Sequence, residues 1–416
     1  MNKEEKFSIA VLLLIFFYIY NISFIYIPEI LRTRVIIGLI GAFMSLRVLF
    51  NKKPIYDLLM VLVISIIPIL TTTLINNEFD SRFFGNVFQN ILYLFGAFFI
   101  IEIIRKKHET VTLLLLCKYI TIPILFHNVF ALLMFLFPNL FSIVISLQPV
   151  DENLLYAMTN TLEFGSRFIG VGIGSYFSGG TISIIGSVTC TFVILKTKNK
   201  IIWGIILFII SALGIFIARI AFLGILFSLI LILRHWFKRS QLYKILPRIL
   251  ISICILITGF YIVNQFSENY KDSALIRQSF ELFFKFEESN SFQVKSAERV
   301  KEMFIIPDNG KTFLIGDGRF SNPDNSFYMH TDVGYSRLLY YYGIIGTICF
   351  FLPFIFISRY MINRDNDSDL RYMLYSLVAL LFICNIKGLL DINWLMFLFF
   401  SLYINNEIYE SSPYHT

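Results

Sequence analysis

The chain has 416 residues, of which 57% are hydrophobic, 17% aromatic and 15% charged, with a mean hydropathy of +0.72. Soluble domains carry about 25% charged residues, so this composition excludes a soluble globular protein and predicts an all-α polytopic membrane protein. The net charge of +7 does not signal nucleic acid, because its Lys and Arg alternate with hydrophobic spans and so read as topogenic.

A bilayer core about 30 Å thick needs roughly 20 apolar residues per helix, and backbone groups in lipid must bond within the segment. Runs of this kind predict about twelve transmembrane helices, over 7–26, 34–50, 55–75, 86–104, 111–137, 179–196, 201–217, 220–236, 248–264, 333–358, 371–386 and 389–405. The first run lacks a small-residue cleavage site and reads as a retained helix. Alternate connections carry the cation clusters: Lys52 and Lys53, Arg105 to Lys107, Lys196 to Lys200, Arg234 to Arg248, and Arg359 to Arg371. Lys and Arg in short loops stay cytoplasmic, so both termini are expected inside a multi-pass cytoplasmic membrane protein. The opposite connections hold isolated cations, Arg32, Arg34, Arg82, Arg167, Arg219 and Lys387. On this reading residues 1–264 hold nine spans and an outer loop at 138–178, 265–332 form one large extracytoplasmic loop, and 333–416 hold three spans and a tail. The five cysteines, Cys117, Cys190, Cys254, Cys349 and Cys384, fall inside predicted spans with no disulfide, zinc or haem spacing. No metal and no cofactor is expected.

Two outer excursions interrupt the spans. The first contains Asp151, Glu152, Glu163 and the run Ser166-Arg167-Phe-Ile-Gly170-Val-Gly172-Ile-Gly174, whose glycines permit irregular backbone. In the second, 271–286 and 292–304 show apolar residues at helical spacing and predict two short amphipathic helices. Pro307, Gly310, Gly316 and Gly318 then predict a loop running through Asn325 and His330 into the next span.

Candidate chemistry concentrates in these outer segments. Of five histidines, His108 and His235 fall in inner connections, His127 inside a span and His415 in the tail, leaving His330 outside. Imidazole, with an ordinary pKa near 6.5, can take a hydroxyl proton as general base; the alternative is an interfacial polar residue before a helix. Asp332 can orient that imidazole, share the base role, or cap the helix that follows. Arg219, in a very short turn between apolar helices, needs a partner, a water cavity or an anionic ligand, or snorkels to the headgroups. Arg167 beside its glycines can form a phosphate nest. Arg299 sits with Glu298 and Glu302 on what reads as a solvated helix face, and Lys387 can pair with Asp391 four residues on. His127-Asn128 can line an internal cavity or hydrogen-bond between helices.

These polar residues in this order resemble the Wzy-type O-antigen and capsule repeat-unit polymerases, and more distantly the O-antigen ligases of the same superfamily. The likeness rests on 10 to 14 spans, one large outer loop in the second half, an Arg in a short outer turn before it, and a segment similar to Asp332-Val-Gly-Tyr-Ser-Arg-Leu-Leu-Tyr-Tyr-Tyr-Gly343-Ile-Ile-Gly346 after it. The resemblance implies metal-independent, inverting glycosyl transfer at the outer face of the cytoplasmic membrane. The substrates would be oligosaccharides linked to undecaprenyl diphosphate, with a chain-length regulator and a flippase as partners and no nucleic acid. It implies that Arg167 and Arg219 bind the departing diphosphate, with Arg299 and Lys387 as secondary contacts, and that His330 with Asp332 deprotonates the acceptor hydroxyl. Ligases usually carry His followed by Asn here; His330-Thr331-Asp332 favours a polymerase. The competing readings are an O-antigen ligase, a lipid-linked oligosaccharide flippase or transporter, and a non-catalytic sensor.

Overall fold

The structure, a computed structural model, describes residues 7–49, 52–78, 80–150, 152–163, 165–238, 274–281, 295–322 and 326–410. Its helices in chain order are α1 Ile9–Tyr20, α2 Thr33–Leu49, α3 Lys53–Ile64, α4 Ile66–Asn76, α5 Ser81–His108, α6 Leu113–Leu136, α7 Pro138–Ser146, α8 Glu152–Glu163 and α9 Tyr176–Lys196. There follow α10 Lys200–Ile217, α11 Phe222–Lys238, α12 Ala274–Ser279, α13 Lys295–Met303, α14 Gly310–Ile315, α15 Gly334–Arg364, α16 Ser368–Cys384 and α17 Asn393–Glu410. Among the described residues there is no β-strand, only an isolated bridge between Ser321 and Phe327. Among the described residues seven helical stretches are long and apolar enough to cross a membrane: Lys53–Asn76, Phe84–His108, Leu113–Leu136, Tyr176–Lys196, Lys200–Ile217, Arg219–Phe237 and Gly334–Arg364. The span expected over 248–264, with Cys254, and the residues Asp151, Asn325 and His415 lie outside the described residues.

Three elements depart from the sequence reading. The run 7–26 supports a helix of only 12 residues, because Asn21 takes a left-handed conformation and closes α1 by donating its N–H to Phe17 O. The outer segment 138–178, read for its glycine run alone, also contains α7 and α8, while 166–174 is free of helix. The loop marked by Pro307 and Gly318 contains α14, started by Asn309, whose side chain accepts from Thr312 N at 2.7 Å.

The chain divides into two compact units, Met1–Tyr119 with Lys295–Thr416, and Ile120–Val294. In the first, α2 lies so close to α5 that a Cβ on Gly38 or Gly41 would collide with the carbonyls of Leu92 and Phe95, the close approach that holds helices together in lipid. Arg34 is buried here, 4% exposed. Its Nε and Nη2 donate to Tyr18 O and Ile19 O, both at 2.6 Å, and its guanidinium lies over the rings of Tyr18, Tyr93 and Trp394. At the far end of α5, Arg105 donates to Asn405 and Asn406 while Glu102 accepts from Asn405 and Tyr409. Each charge thereby finds partners on α17.

Helix α15 is broken within its span. Tyr342 and Gly343 leave helical geometry, Gly343 at φ 61 and ψ −169, a region open in practice only to glycine. The break frees two carbonyls, and the chain after α14 takes them: Asp317 N donates to Tyr340 O at 2.7 Å and Gly318 N to Tyr341 O at 2.9 Å. Irregular backbone at membrane depth is tolerated only where protein covers it, and here α14 does.

In the second unit α9 is the centre. Its residues from Gly179 to Val193 are all buried, although Ser, Thr and Gly make up much of the run. Small side chains let α10 and α11 approach: a Cβ on Gly214 would meet Ser183, and one on Gly224 would meet Ser187 and Ile184. Asn128 on α6 donates to Ser183 Oγ at 3.1 Å and Ile210 O at 3.2 Å, which is the interhelical hydrogen bond rather than the cavity lining.

Candidate functional site

Arg167 and Arg219 come together in the second unit, although 52 positions separate them in sequence. The adjacent glycines Gly179 and Gly180 seat both loops on the start of α9. A Cβ on Gly179 would strike Gly174 O, in the loop that follows Arg167. One on Gly180 would strike the side chains of Ala218 and Ile220, on either side of Arg219. Ala218 is extended, at φ −158 and ψ 135, and residues 219–221 form one 3-10 turn before α11. The two loops then bond directly, Phe168 N to Phe216 O at 3.0 Å. Beneath them Ala131, Phe168 and Ile217 form a buried apolar cluster packed by Leu213, Phe216 and Leu275.

Leu275 belongs to α12, which falls inside the segment 271–286 expected to be amphipathic. Its apolar side enters that cluster, and Phe280 sits between the rings of Phe216 and Phe222 at 6.3 and 5.9 Å. The polar side then meets the arginines. Arg219 forms an ion pair with Glu281, both partly buried. The Gln278 amide, with its oxygen turned to Arg167, accepts from Nε at 3.1 Å and from Nη2 at 3.0 Å, and its nitrogen donates to Ser166 O at 3.1 Å. Burial and then the Arg219 charge lower the Arg167 pKa, against smaller opposing effects of Tyr176 and Glu281. A guanidinium in a protein stays charged, so Arg167 remains a cation. Among the described residues the cluster thus brings together the guanidinium groups of Arg167 and Arg219 and the carboxylate of Glu281. It has an excess positive charge in a partly desolvated place, where a bidentate anion is bound strongly.

The glycine run is not a phosphate nest. Gly170 N donates to Ser175 Oγ, Val171 N to His127 Nε2, Gly172 N to Gln148 Oε1 and Gly174 N to Val171 O. These amides are committed to holding the loop itself. His127, 1% exposed, accepts through Nε2 at 3.2 Å and contacts Asn128 Oδ1 through Nδ1 at 3.4 Å, so the proton belongs on Nδ1.

His330, Asp332, Arg299 and Lys387 belong to the other unit. Three segments that carry them converge on the start of α15. Thr331 Oγ1 donates to Met303 O at 2.6 Å, Ile305 N donates to Ser336 Oγ at 3.1 Å, and Tyr335 N donates to Asn385 O at 3.1 Å. A Cβ on Gly334 would collide with Asn385 and Gly388, so the 385–388 turn lies against it. His330 and Asp332 are exposed, as are Arg299 and Lys387. Met329 and His330 both adopt left-handed backbone, at φ 57 and 51, a strain that for such residues costs about 1–3 kcal/mol each and collects at functional sites. Asp332 does not cap α15. Val333 occupies the cap position without a side-chain bond, and it is Thr331 Oγ1 that accepts from Val333 N at 3.2 Å. Asp391 does not depend on Lys387 either: its carboxylate accepts from Asn393 N at 2.7 Å and from the side chains of Asn393 and Asn90.

Gln278 and Glu281 are absent from the sequence-based candidates. Their signal was their spacing of three on the polar side of a helix whose apolar side was recognised. Arg337 was also passed over; it lies between the rings of Phe320 and Phe327, 4.1 and 3.8 Å from their centroids. Among the described residues no cluster of His, Cys, Asp and Glu is arranged to hold a metal ion.

Fold and site together define a class: a multi-pass α-helical membrane protein with a paired-arginine cluster at the start of the buried helix α9. Comparison with protein-family models, curated proteins and solved structures returns no match.

Proposed function

We propose that the protein is a polysaccharide repeat-unit polymerase, transferring a growing glycan from undecaprenyl diphosphate to a lipid-linked oligosaccharide at the outer face of the cytoplasmic membrane. The observation that supports this most is the convergence of Arg167 and Arg219 around a single carboxylate, Glu281. A sugar diphosphate leaving group gains negative charge as the anomeric C–O bond breaks. Two fixed guanidinium groups stabilise that charge without a metal, provided Glu281 gives up its place. The acceptor hydroxyl oxygen attacks the anomeric carbon from the opposite side, inverting it. Its proton passes to a base, for which the resemblance designates His330, with Asp332 two residues on. Arg299 and Lys387 are secondary phosphate or glycan contacts on the same reading.

Deletion of the gene followed by gel analysis of surface glycan tests the function. A polymerase defect leaves single repeat units, a flippase defect strands them inside, and a ligase defect leaves long chains on the carrier. A normal ladder in the deletion strain refutes the proposal. Arg167→Ala and Arg219→Ala are each expected to reduce the ladder to single units with the protein still inserted in the membrane.

A further inference from the structure

Helix α14 belongs to the segment that the sequence places outside the membrane, yet it is bonded into two helices of membrane-spanning length. Thr72 Oγ1 and Asn76 Nδ2 on α4 donate to Ile315 O at 2.6 Å and to Gly316 O at 2.9 Å. On the side of α15, a Cβ on Gly343 would strike the Leu314 carbonyl, and one on Gly316 the Tyr341 carbonyl. The end of α14 is therefore level with the last turns of α4 and with the break in α15.

Two rulers give the depth of that level. The apolar stretch Lys53–Asn76 opens on a cation, and Thr72 is 19 positions beyond it, about 29 Å along the helix at 1.5 Å per residue. On α15 the first cations after the break are Arg359 and Arg364, 16 and 21 positions beyond Gly343, or about 24 and 32 Å. Ser65 Oγ donates to Cys349 O at 3.3 Å, so the two helices run side by side in opposite directions and their cations share one end. Both distances match a hydrocarbon core of about 30 Å. Helix α14 thus lies at the boundary of that core opposite the cation-bearing ends.

The surface at this level is apolar. Phe313 and Leu314 are 38% and 50% exposed, and Leu74 and Ile75 on α4 and Ile345 and Ile348 just beyond the break are exposed as well. Thr312 is buried instead, its hydroxyl donating to Asp317 Oδ1 at 2.6 Å. Lys311 is exposed beside the apolar pair, and its long stem lets the ammonium reach a headgroup while the helix stays lower. Apolar side chains outward, a hydroxyl inward and a lysine at the edge are the chemistry of a segment at a membrane interface, where solvated loops expose polar groups. The patch also continues the outward apolar faces of α4 and α15, which lipid covers in a membrane-spanning helix.

We infer that α14 is seated in the bilayer, with Phe313 and Leu314 among phospholipid acyl chains at the edge of one leaflet and Lys311 at its phosphates. The chain between Pro307 and Gly318 then dips into the lipid and leaves it again. The inference is independent of the polymerase reading.

The test uses the full-length protein in lipid nanodiscs, with its native cysteines replaced by Ser and a bimane label on Leu314→Cys or, as an aqueous control, on Lys301→Cys. Quenching is read with phosphatidylcholine that carries a doxyl group near the head of its acyl chain, and separately with iodide in the buffer. The Leu314 probe is expected to be quenched by the doxyl lipid at least about threefold more than the Lys301 probe, with the order reversed for iodide. Iodide quenching as strong at Leu314 as at Lys301 means a solvated loop and overturns the inference. Quenching of the Leu314 probe by neither agent means that protein covers the side chain, and overturns it too. Should the cysteine-free protein not fold, benzoylphenylalanine placed at Phe313 in the otherwise unchanged chain decides alone. Irradiation is expected to yield a phospholipid adduct by mass spectrometry, and its absence, while the same group at Ile348 gives one, refutes the seating.

Discussion

The two arginines of the candidate site are neutralised unequally. Arg219 has a carboxylate partner, whereas Arg167 has a neutral amide, so the anion that enters competes chiefly with Glu281. Replacing it by Gln removes the competitor. We expect Glu281→Gln to raise affinity for inorganic pyrophosphate several-fold, read as a larger Tm shift at a given concentration, and Arg219→Ala to abolish the shift. Equal affinity in the wild type and Glu281→Gln would mean that the carboxylate does not occupy the anion position. His127 acts at one remove, by accepting the Val171 N–H that fixes the loop after Arg167. Its replacement by Leu leaves that donor buried and unpaired, a cost of about 1–3 kcal/mol, and a Tm lowered by several degrees is the expected reading. At this scale the sequence was partly legible. Arg219 stands out because a cation in an apolar turn is costly without a partner; Arg167 is marked by its glycines, whose amides turn out to be bonded within the loop. Glu281 and Gln278 do not stand out, since an ordinary amphipathic helix carries such residues on its wet side.

Among the elements, α9 and α15 position the most. Both depend on glycine for close approach: α9 seats the arginine loops on Gly179 and Gly180, and α15 opens at Gly343 to receive the backbone of α14. Gly343→Ala is expected to cost about 1–3 kcal/mol in strain alone, with a further penalty because its Cβ would meet the Leu314 carbonyl. Thermal unfolding in detergent is the measurement, and an unchanged Tm would show that the break is not required. Gly180→Val should instead displace the 218–221 turn, with lost pyrophosphate binding at a modest change in stability. Hydropathy located most of these helices but not the break in α15, because an apolar run looks the same whether or not its carbonyls are taken by another segment. It also overextended α1, where the apolar run continues but Asn21 turns the backbone.

For the molecule as a whole, the cation distribution gives an expected membrane orientation that labelling tests. Single cysteines introduced at Lys387 or Arg299 should react with an impermeant maleimide added to intact cells, and one at Lys52 should not. Labelling of all three, or of Lys52 alone, contradicts an outer location for the loop. Cys117, Cys190 and Cys384 are buried and Cys349 is partly exposed, so the variants are built with Cys254 and Cys349 replaced by Ser.

The amino-acid sequence by itself determined that the protein is helical and membrane-embedded, because transfer of apolar side chains into lipid and the need for internal backbone bonding are local properties of each run. It also marked Arg219, since the cost of a charge at depth is visible in one dimension. Only the tertiary structure decided which groups meet the arginine charges and that the glycine amides beside Arg167 are already bonded. Those facts depend on which helices approach one another and on which hydrogen bonds that approach leaves unmade, and neither is carried by any single segment.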